Sequence, residues 1–189
     1  MSRKYLIVVD MQNDFIDGSL GSKEAQAIVQ NVAKKIQDFD GKVILTKDTH
    51  FVKEDSIAPA YSDTLEGKLL PVSHCMIDAN GEPTKGHDLN KEIEAAAQKR
   101  IDVRVVRKFT FGSLALVSEI ANETPVSEID SIELCGLCTD ICVVSNALIL
   151  RAAFPNTPMK VDSKCCAGVT PELHEAALKV MKSCQIEVI

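Results

Sequence analysis

The run Tyr5-Leu6-Ile7-Val8-Val9, closed by Asp10, constrains this chain more than any other stretch. It is too short for a buried helix and lacks the in-out alternation of a half-solvated strand. It therefore reads as a strand covered on both faces, the habit of a parallel sheet. Further strand-like runs follow at Val43-Ile44-Leu45-Thr46, Val103-Arg104-Val105-Val106, Ser131-Ile132-Glu133-Leu134, Pro158-Met159-Lys160-Val161 and Cys184 to Ile189. Helical stretches lie between them. Lys23 to Asp38 carries Ile28, Val32 and Ile36 as one stripe, and Leu89 to Lys99 carries Ile93 and Ala97. Leu114 to Asn122 follows Ser113 as a cap, and Cys142 to Ala153 presents Val143, Ala147 and Leu150 along one face. The last helix opens on Thr170-Pro171-Glu172 and is expected to turn Leu173, Ala177, Val180 and Met181 inward. Strands alternating with helices predict an α/β fold: a doubly wound, Rossmann-like parallel sheet of about six strands with helices on both faces.

The length of 189 residues suits one domain covering 1-189, with a long loop at about 47-86 that shows no sustained period. Loops of that length in a compact domain are usually functional. The net charge of −6 offers no basic footprint for nucleic acid or an anionic membrane, and neither is an expected partner. No apolar run approaches the ~20 residues that span a bilayer. Met1-Ser2-Arg3-Lys4 leads directly into the first strand without the pattern of a signal peptide, so a cytoplasmic location is expected. The seven cysteines are an odd number and are expected as free thiols.

Chemistry concentrates around Leu134-Cys135-Gly136-Leu137-Cys138-Thr139-Asp140-Ile141-Cys142-Val143-Val144. Gly136 marks the change from strand to loop, Thr139 and Asp140 stand where a helix wants a cap, and Cys142 falls in the first helical turn. A thiol there would feel the positive pole of the helix, which favours thiolate. In open α/β sheets ligands bind beyond the carboxyl ends of strands, where strand order reverses. Asp10, Lys108 and Cys142 stand at three such ends and offer a base, a cation and a nucleophile. Asp48-Thr49-His50 follows the second strand, and Glu66 and His74 come later in the long loop. Carboxylate and imidazole suit a divalent ion, zinc first, with manganese or iron as alternatives. Cys135-x-x-Cys138 leaves open a thiol redox or zinc-binding module, although no second cysteine pair of suitable spacing accompanies it. Cys165-Cys166 is expected to follow the fifth strand and simply pack. His87 and His174 read as surface or capping residues.

Three blocks together carry a family resemblance. They are Val8-Val9-Asp10-Met11-Gln12-Asn13-Asp14-Phe15, Arg107-Lys108-Phe109-Thr110-Phe111-Gly112-Ser113, and Gly136-Leu137-Cys138-Thr139-Asp140-Ile141-Cys142-Val143. In order and separation the chain resembles the isochorismatase-like cysteine hydrolases, and within them it is most similar to the nicotinamidases. The resemblance implies Cys142 as nucleophile, Asp10 as the base that takes its proton and Lys108 as electrostatic partner. It also implies a cis peptide between Leu137 and Cys138, with the backbone N–H groups of Cys138 and Cys142 as oxyanion hole. Asp48, His50 and His74 would hold a metal that binds a pyridine nitrogen, with Glu66 as a further ligand. Phe15, Leu70, Phe111 and Leu137 would contact a small-molecule amide substrate, and a homo-oligomer is expected. One departure stands out: Leu70-Pro71-Val72-Ser73-His74 is one residue longer than the matching stretch and has leucine where an aromatic ring would stack. The alternatives are another amide or ureido hydrolase of the same fold, and a non-catalytic relative serving as a binding subunit.

Overall fold

In the computed structural model the described residues are 3–52 and 60–189. The chain runs β1 (Arg3–Val9), α1 (Asn13–Ile16), α2 (Lys23–Asp38), β2 (Lys42–Asp48), β3 (His50–Phe51), α3 (Leu65–Leu69), β4 (Met76–Ile77), α4 (Lys91–Gln98) and β5 (Val103–Lys108). It continues through α5 (Leu114–Glu123), β6 (Ile129–Leu137), α6 (Val144–Ala153), β7 (Met159–Ala167), α7 (Pro171–Ser183) and β8 (Glu187–Val188). Six strands form one parallel sheet in the order β5-β2-β1-β6-β7-β8. Strand order reverses between β1 and β6, so the crevice beyond their carboxyl ends is the expected ligand position.

The first strand is as buried as its composition requires: Tyr5 through Val9 are wholly inaccessible, flanked by β2 and β6. Helices cover both faces. α2 packs on α4, β6 and β7, while α6 packs on α5 and α7. The predicted stripes hold for Ile28, Val32 and Ile36, and for Val143, Ala147 and Leu150, all of which are core residues. Burying such side chains is the main favourable term in folding, at roughly 25 cal/mol per Å² of apolar area. Ser22, Ser113 and Thr170 each accept a backbone N–H three residues on, capping α2, α5 and α7.

Gly136 has φ +116°, and a Cβ there would stand 2.1 Å from the Val9 carbonyl oxygen. Only glycine lets β6 press this closely on β1. Beyond it the Leu137–Cys138 peptide is cis.

Several expectations need correction. The long loop contains the short helix α3 and the parallel pair β3–β4; its residues 53–59 lie outside the described residues. Cys165 and Cys166 sit inside β7, because that strand runs on to Ala167. Residues Thr139–Val143 form a π-type turn, so α6 begins at Val144 and Cys142 precedes it. The buried face of α7 is Ala177, Leu178 and Met181. Leu173 and Val180 lie at the edge of that face and are exposed at 47% and 48%. No helix among the described residues is long and apolar enough to cross a membrane.

Candidate active site

The sheet delivers its polar strand ends to one place. Asp10 directly follows β1, Asp48 closes β2, Lys108 closes β5, and Cys142 stands in the turn after β6. Asp10 has φ +49°, a left-handed conformation that aspartate tolerates better than β-branched residues do. Lys108 is buried at the centre. Its Nζ lies 2.7 Å from Asp10 Oδ2 and 3.0 Å from Asp48 Oδ1, and it donates to Cys142 Sγ at 3.4 Å. The side chain of Thr46 donates to Asp10 Oδ1 at 2.6 Å and accepts the Asp10 N–H at 3.2 Å. The predicted trio of Asp10, Lys108 and Cys142 is thus brought together, with Asp48 as a fourth member.

The electrostatics follow from this burial. Desolvation disfavours the Lys108 ammonium, yet Asp10, Cys142 and Asp48 around it raise its pKa well above the ordinary lysine value. Burial pushes the Asp10 carboxyl up, with Lys108 opposing the rise and Asp48 adding to it. Burial likewise opposes charge on Asp48, but Lys108 and hydrogen bonds from His50 and His74 hold that carboxyl far below the usual range. Desolvation raises the Cys142 thiol well above its ordinary value, with Lys108 as the opposing charge. This corrects the expectation of a thiolate favoured by a helix pole. The thiol thus stands beside a cation that itself pairs with the Asp10 carboxyl, an arrangement suited to proton transfer during reaction.

The second cluster shares Asp48. Asp48 Oδ2 lies 3.0 Å from His50 Nε2 and 3.4 Å from His74 Nε2, and one ligand atom from each of the three residues lies within 4.8 Å of the others. His74 Nδ1–H donates to the Val72 carbonyl at 2.7 Å, which leaves Nε2 turned toward Asp48. Such an outer hydrogen bond orients metal-ligating histidines generally. Glu66 Oε1 is buried 3.8 Å from His50 Nε2 and has no hydrogen-bond partner among the described residues. One carboxylate, two imidazoles and a nearby second carboxyl fit a divalent cation with open positions.

A cavity of about 280 Å³ adjoins both clusters. Phe15, Leu70, Phe111 and Leu137, the predicted substrate contacts, all line it, as do Asp48, His74, Cys138 and Cys142. Leu20, Ile141 and Val169 add apolar wall that sequence reasoning missed. The volume lies at the small end for ligand sites and suits a single-ring compound rather than a dinucleotide.

Supporting residues were also missed. Gln12 clamps Asp48 by both main-chain groups: its Oε1 accepts the Asp48 N–H at 2.7 Å and its Nε2 donates to the Asp48 carbonyl at 2.9 Å. Asn146 Nδ2 donates to the Cys142 carbonyl at 2.8 Å, and Asp14 Oδ2 accepts the N–H of Cys75, next to His74, at 2.8 Å. Their polar types in turns and helix ends were a weak signal, because their partners are distant in sequence. His87, expected at the surface, is fully buried with Nε2 3.0 Å from Thr49 Oγ1. All seven cysteines are free, and burial raises Cys138 to about 12.

A thiol, a carboxylate and an ammonium gathered where a parallel sheet reverses, beside a small apolar cavity, are groups of the kind that nucleophilic catalysis draws on. The chain belongs to the isochorismatase family, whose domain matches residues 4–189. It is 28% identical over 205 residues to the nicotinamidase of Schizosaccharomyces pombe, covering 97% of this chain and 91% of that protein. It is 27% identical over 204 residues to the nicotinamidase/pyrazinamidase of Mycobacterium tuberculosis, covering 97% of each. Among solved structures it is similar to the nicotinamidase/pyrazinamidase PncA of Bacillus subtilis, with a TM-score of 0.80, 25% identity and 98% of each chain covered.

Proposed function

We propose that this protein is a nicotinamidase, a metal-assisted cysteine amidohydrolase that converts nicotinamide to nicotinate and ammonia. The hydrolase class, acting on an amide carbon–nitrogen bond, follows from the family and the relatives. The observation that carries the finer reading is the division of labour at Asp48. One oxygen accepts from Lys108 beside Cys142, and the other faces His50 and His74, so a single carboxylate ties the thiol cluster to the metal-ligating cluster across one small cavity.

In this reading Cys142 attacks the carboxamide carbon as its proton passes to Asp10. Lys108 offsets charge on the carboxylate and the developing thiolate throughout. The N–H groups of Cys138 and Cys142 receive the oxyanion. As the carbon–nitrogen bond breaks, Asp10 returns the proton to leaving ammonia, and the acyl group remains on sulfur as a thioester. Asp10 then takes a proton from water, which attacks the thioester and frees nicotinate and thiol. Asp48, His50 and His74, with Glu66 beside them, would hold a divalent ion, zinc by donor chemistry, which when bound offers a Lewis-acid partner for the ring nitrogen. Phe15 and Phe111 hold the ring while Leu70 closes a wall without stacking. The reading extends to a single domain, a cytoplasmic location and a homo-oligomer.

The test is ammonia release from nicotinamide by the purified, metal-replete protein, with Cys142→Ala as control. Turnover that falls by at least ~10³-fold in the variant is the expected result. Absence of turnover with metal bound would instead favour another small amide or ureido substrate. A thiol redox or zinc module built on Cys135 and Cys138 would make Cys135→Ala as damaging as Cys142→Ala. Cys135 is wholly buried in the core, away from the cavity wall, which disfavours that alternative.

A further inference from the structure

The turn that carries Cys142 is fastened from outside by α7 and the loop before it. Thr139, the first residue of that turn, is fully buried, and its Oγ1 lies 2.8 Å from His174 Nδ1 on the first turns of α7. The next residue, Asp140, accepts the Val169 N–H on Oδ1 at 2.9 Å. Gly168 makes the approach possible, since a Cβ there would stand 2.8 Å from Asp140 Oδ1 and 2.9 Å from the His174 N atom. Gly168 and Val169 also line the cavity, so the segment that grips the turn is part of the substrate wall.

What the turn holds makes this grip consequential. Ile141 N–H and Val143 N–H both donate to the Cys138 carbonyl, at 3.1 and 3.0 Å. These bonds tie the residues on either side of Cys142 back to Cys138, with Thr139 between the two cysteines, and both cysteines line the cavity. π-type turns are rare and recur at functional sites. His174 supplies the only partner described for the buried Thr139 hydroxyl, and such a hydroxyl needs one.

We propose that His174 is a positioning residue for the Cys142 thiol, acting through Thr139. The proposal rests on the reading of Cys142 as nucleophile. His174 touches neither cavity nor thiol; it keeps the turn in the one arrangement that presents Cys142 to the substrate carbon and the N–H groups of Cys138 and Cys142 to the oxyanion. Misplacements of about 1 Å in reacting groups cost up to ~10²-fold in rate, so a loosened turn shows itself in kcat before KM.

The experiment compares His174→Ala, His174→Asn, Thr139→Val, Thr139→Ser and the double variant His174→Ala/Thr139→Val. Two readouts are taken on the metal-replete protein: steady-state nicotinamide hydrolysis, and the rate of Cys142 alkylation by iodoacetamide, located by fragment mass. Expected are a roughly 10-fold fall in kcat for His174→Ala and Thr139→Val, KM within about threefold, and a double variant no worse than either single one. Asn at 174 and Ser at 139, which keep a hydrogen-bonding group in place, should recover most of the rate. The alkylation rate should shift in the same variants, and it can be read even without nicotinamide turnover. His174→Ala within twofold of wild type in both readouts, or losses that multiply in the double variant, would overturn the proposal. A lowered melting temperature with kcat and alkylation unchanged would overturn it too, since the contact would then serve only folding. Full turnover by Cys142→Ala would sink the nucleophile reading instead, a different outcome from a dead Cys142→Ala beside an unaffected His174→Ala.

Discussion

Lys108 shows how much one side chain can decide. Its ammonium is buried between two carboxylates and a thiol, and the two carboxylates depend on it for charge balance. Removing one partner of a buried ion pair leaves an uncompensated charge, which costs about 3–5 kcal/mol. Lys108→Met should therefore lower unfolding free energy by that amount at neutral pH, as measured by urea denaturation, and should abolish turnover. The raised pKa of Asp10 has its own signature. The mechanism needs Asp10 as carboxylate, so kcat/KM must fall as pH drops through its pKa. Burial has moved that pKa upward, so the acid limb should lie above the ordinary aspartate value of about 4. A profile still flat at pH 4 would contradict this placement of Asp10. The strand-end positions of Asp10, Lys108 and Cys142 were legible in the sequence because each closes an apolar run or follows one. Thr46 and Gln12 were not, since each earns its place through a partner 36 residues away.

At the level of elements, the long loop is where reading and structure diverge most. It is built from short pieces, β3, α3 and β4, braced by buried polar contacts. His87 is the clearest of these. Burial first, then the nearby Lys47 and Arg107 charges, lower its pKa to about 4. The sign follows directly. Between about pH 6.5 and 4 the unfolded chain binds a proton at this histidine that the folded chain refuses, so stability is intact above the unfolded value and declines as pH falls toward 4. The slope from this one group is at most ~1.4 kcal/mol per pH unit. Urea unfolding of the metal-free protein at several pH values should show the decline, and His87→Asn should flatten it. A two-residue strand or a five-residue helix carries too little periodicity to announce itself, which is why this region read only as loop.

Across the whole molecule, the sheet order places the candidate metal ligands on β2, β3 and the segment before β4, and the thiol on the far side of β1. A cation held there links segments that are distant in sequence. Anything that binds only the folded state stabilises it by mass action, by about 2.7 kcal/mol at a hundredfold excess over Kd. Adding zinc to chelator-stripped protein should therefore raise Tm, and His74→Ala should remove most of that rise. An unchanged Tm in the wild type would count against a metal at Asp48, His50 and His74.

Sequence alone determined the architecture and the identity of the central residues, because strand burial, helix stripes and caps are local patterns that residue type states directly. It also placed the acid, the lysine and the thiol at strand ends, where a parallel sheet must gather them. The desolvation of the thiol, the sharing of Asp48 between two clusters, the burial of His87 and the grip of His174 on Thr139 were decided only by tertiary structure. Each depends on desolvation or on a hydrogen bond between segments far apart in the chain, and those quantities exist only once the sheet has assembled.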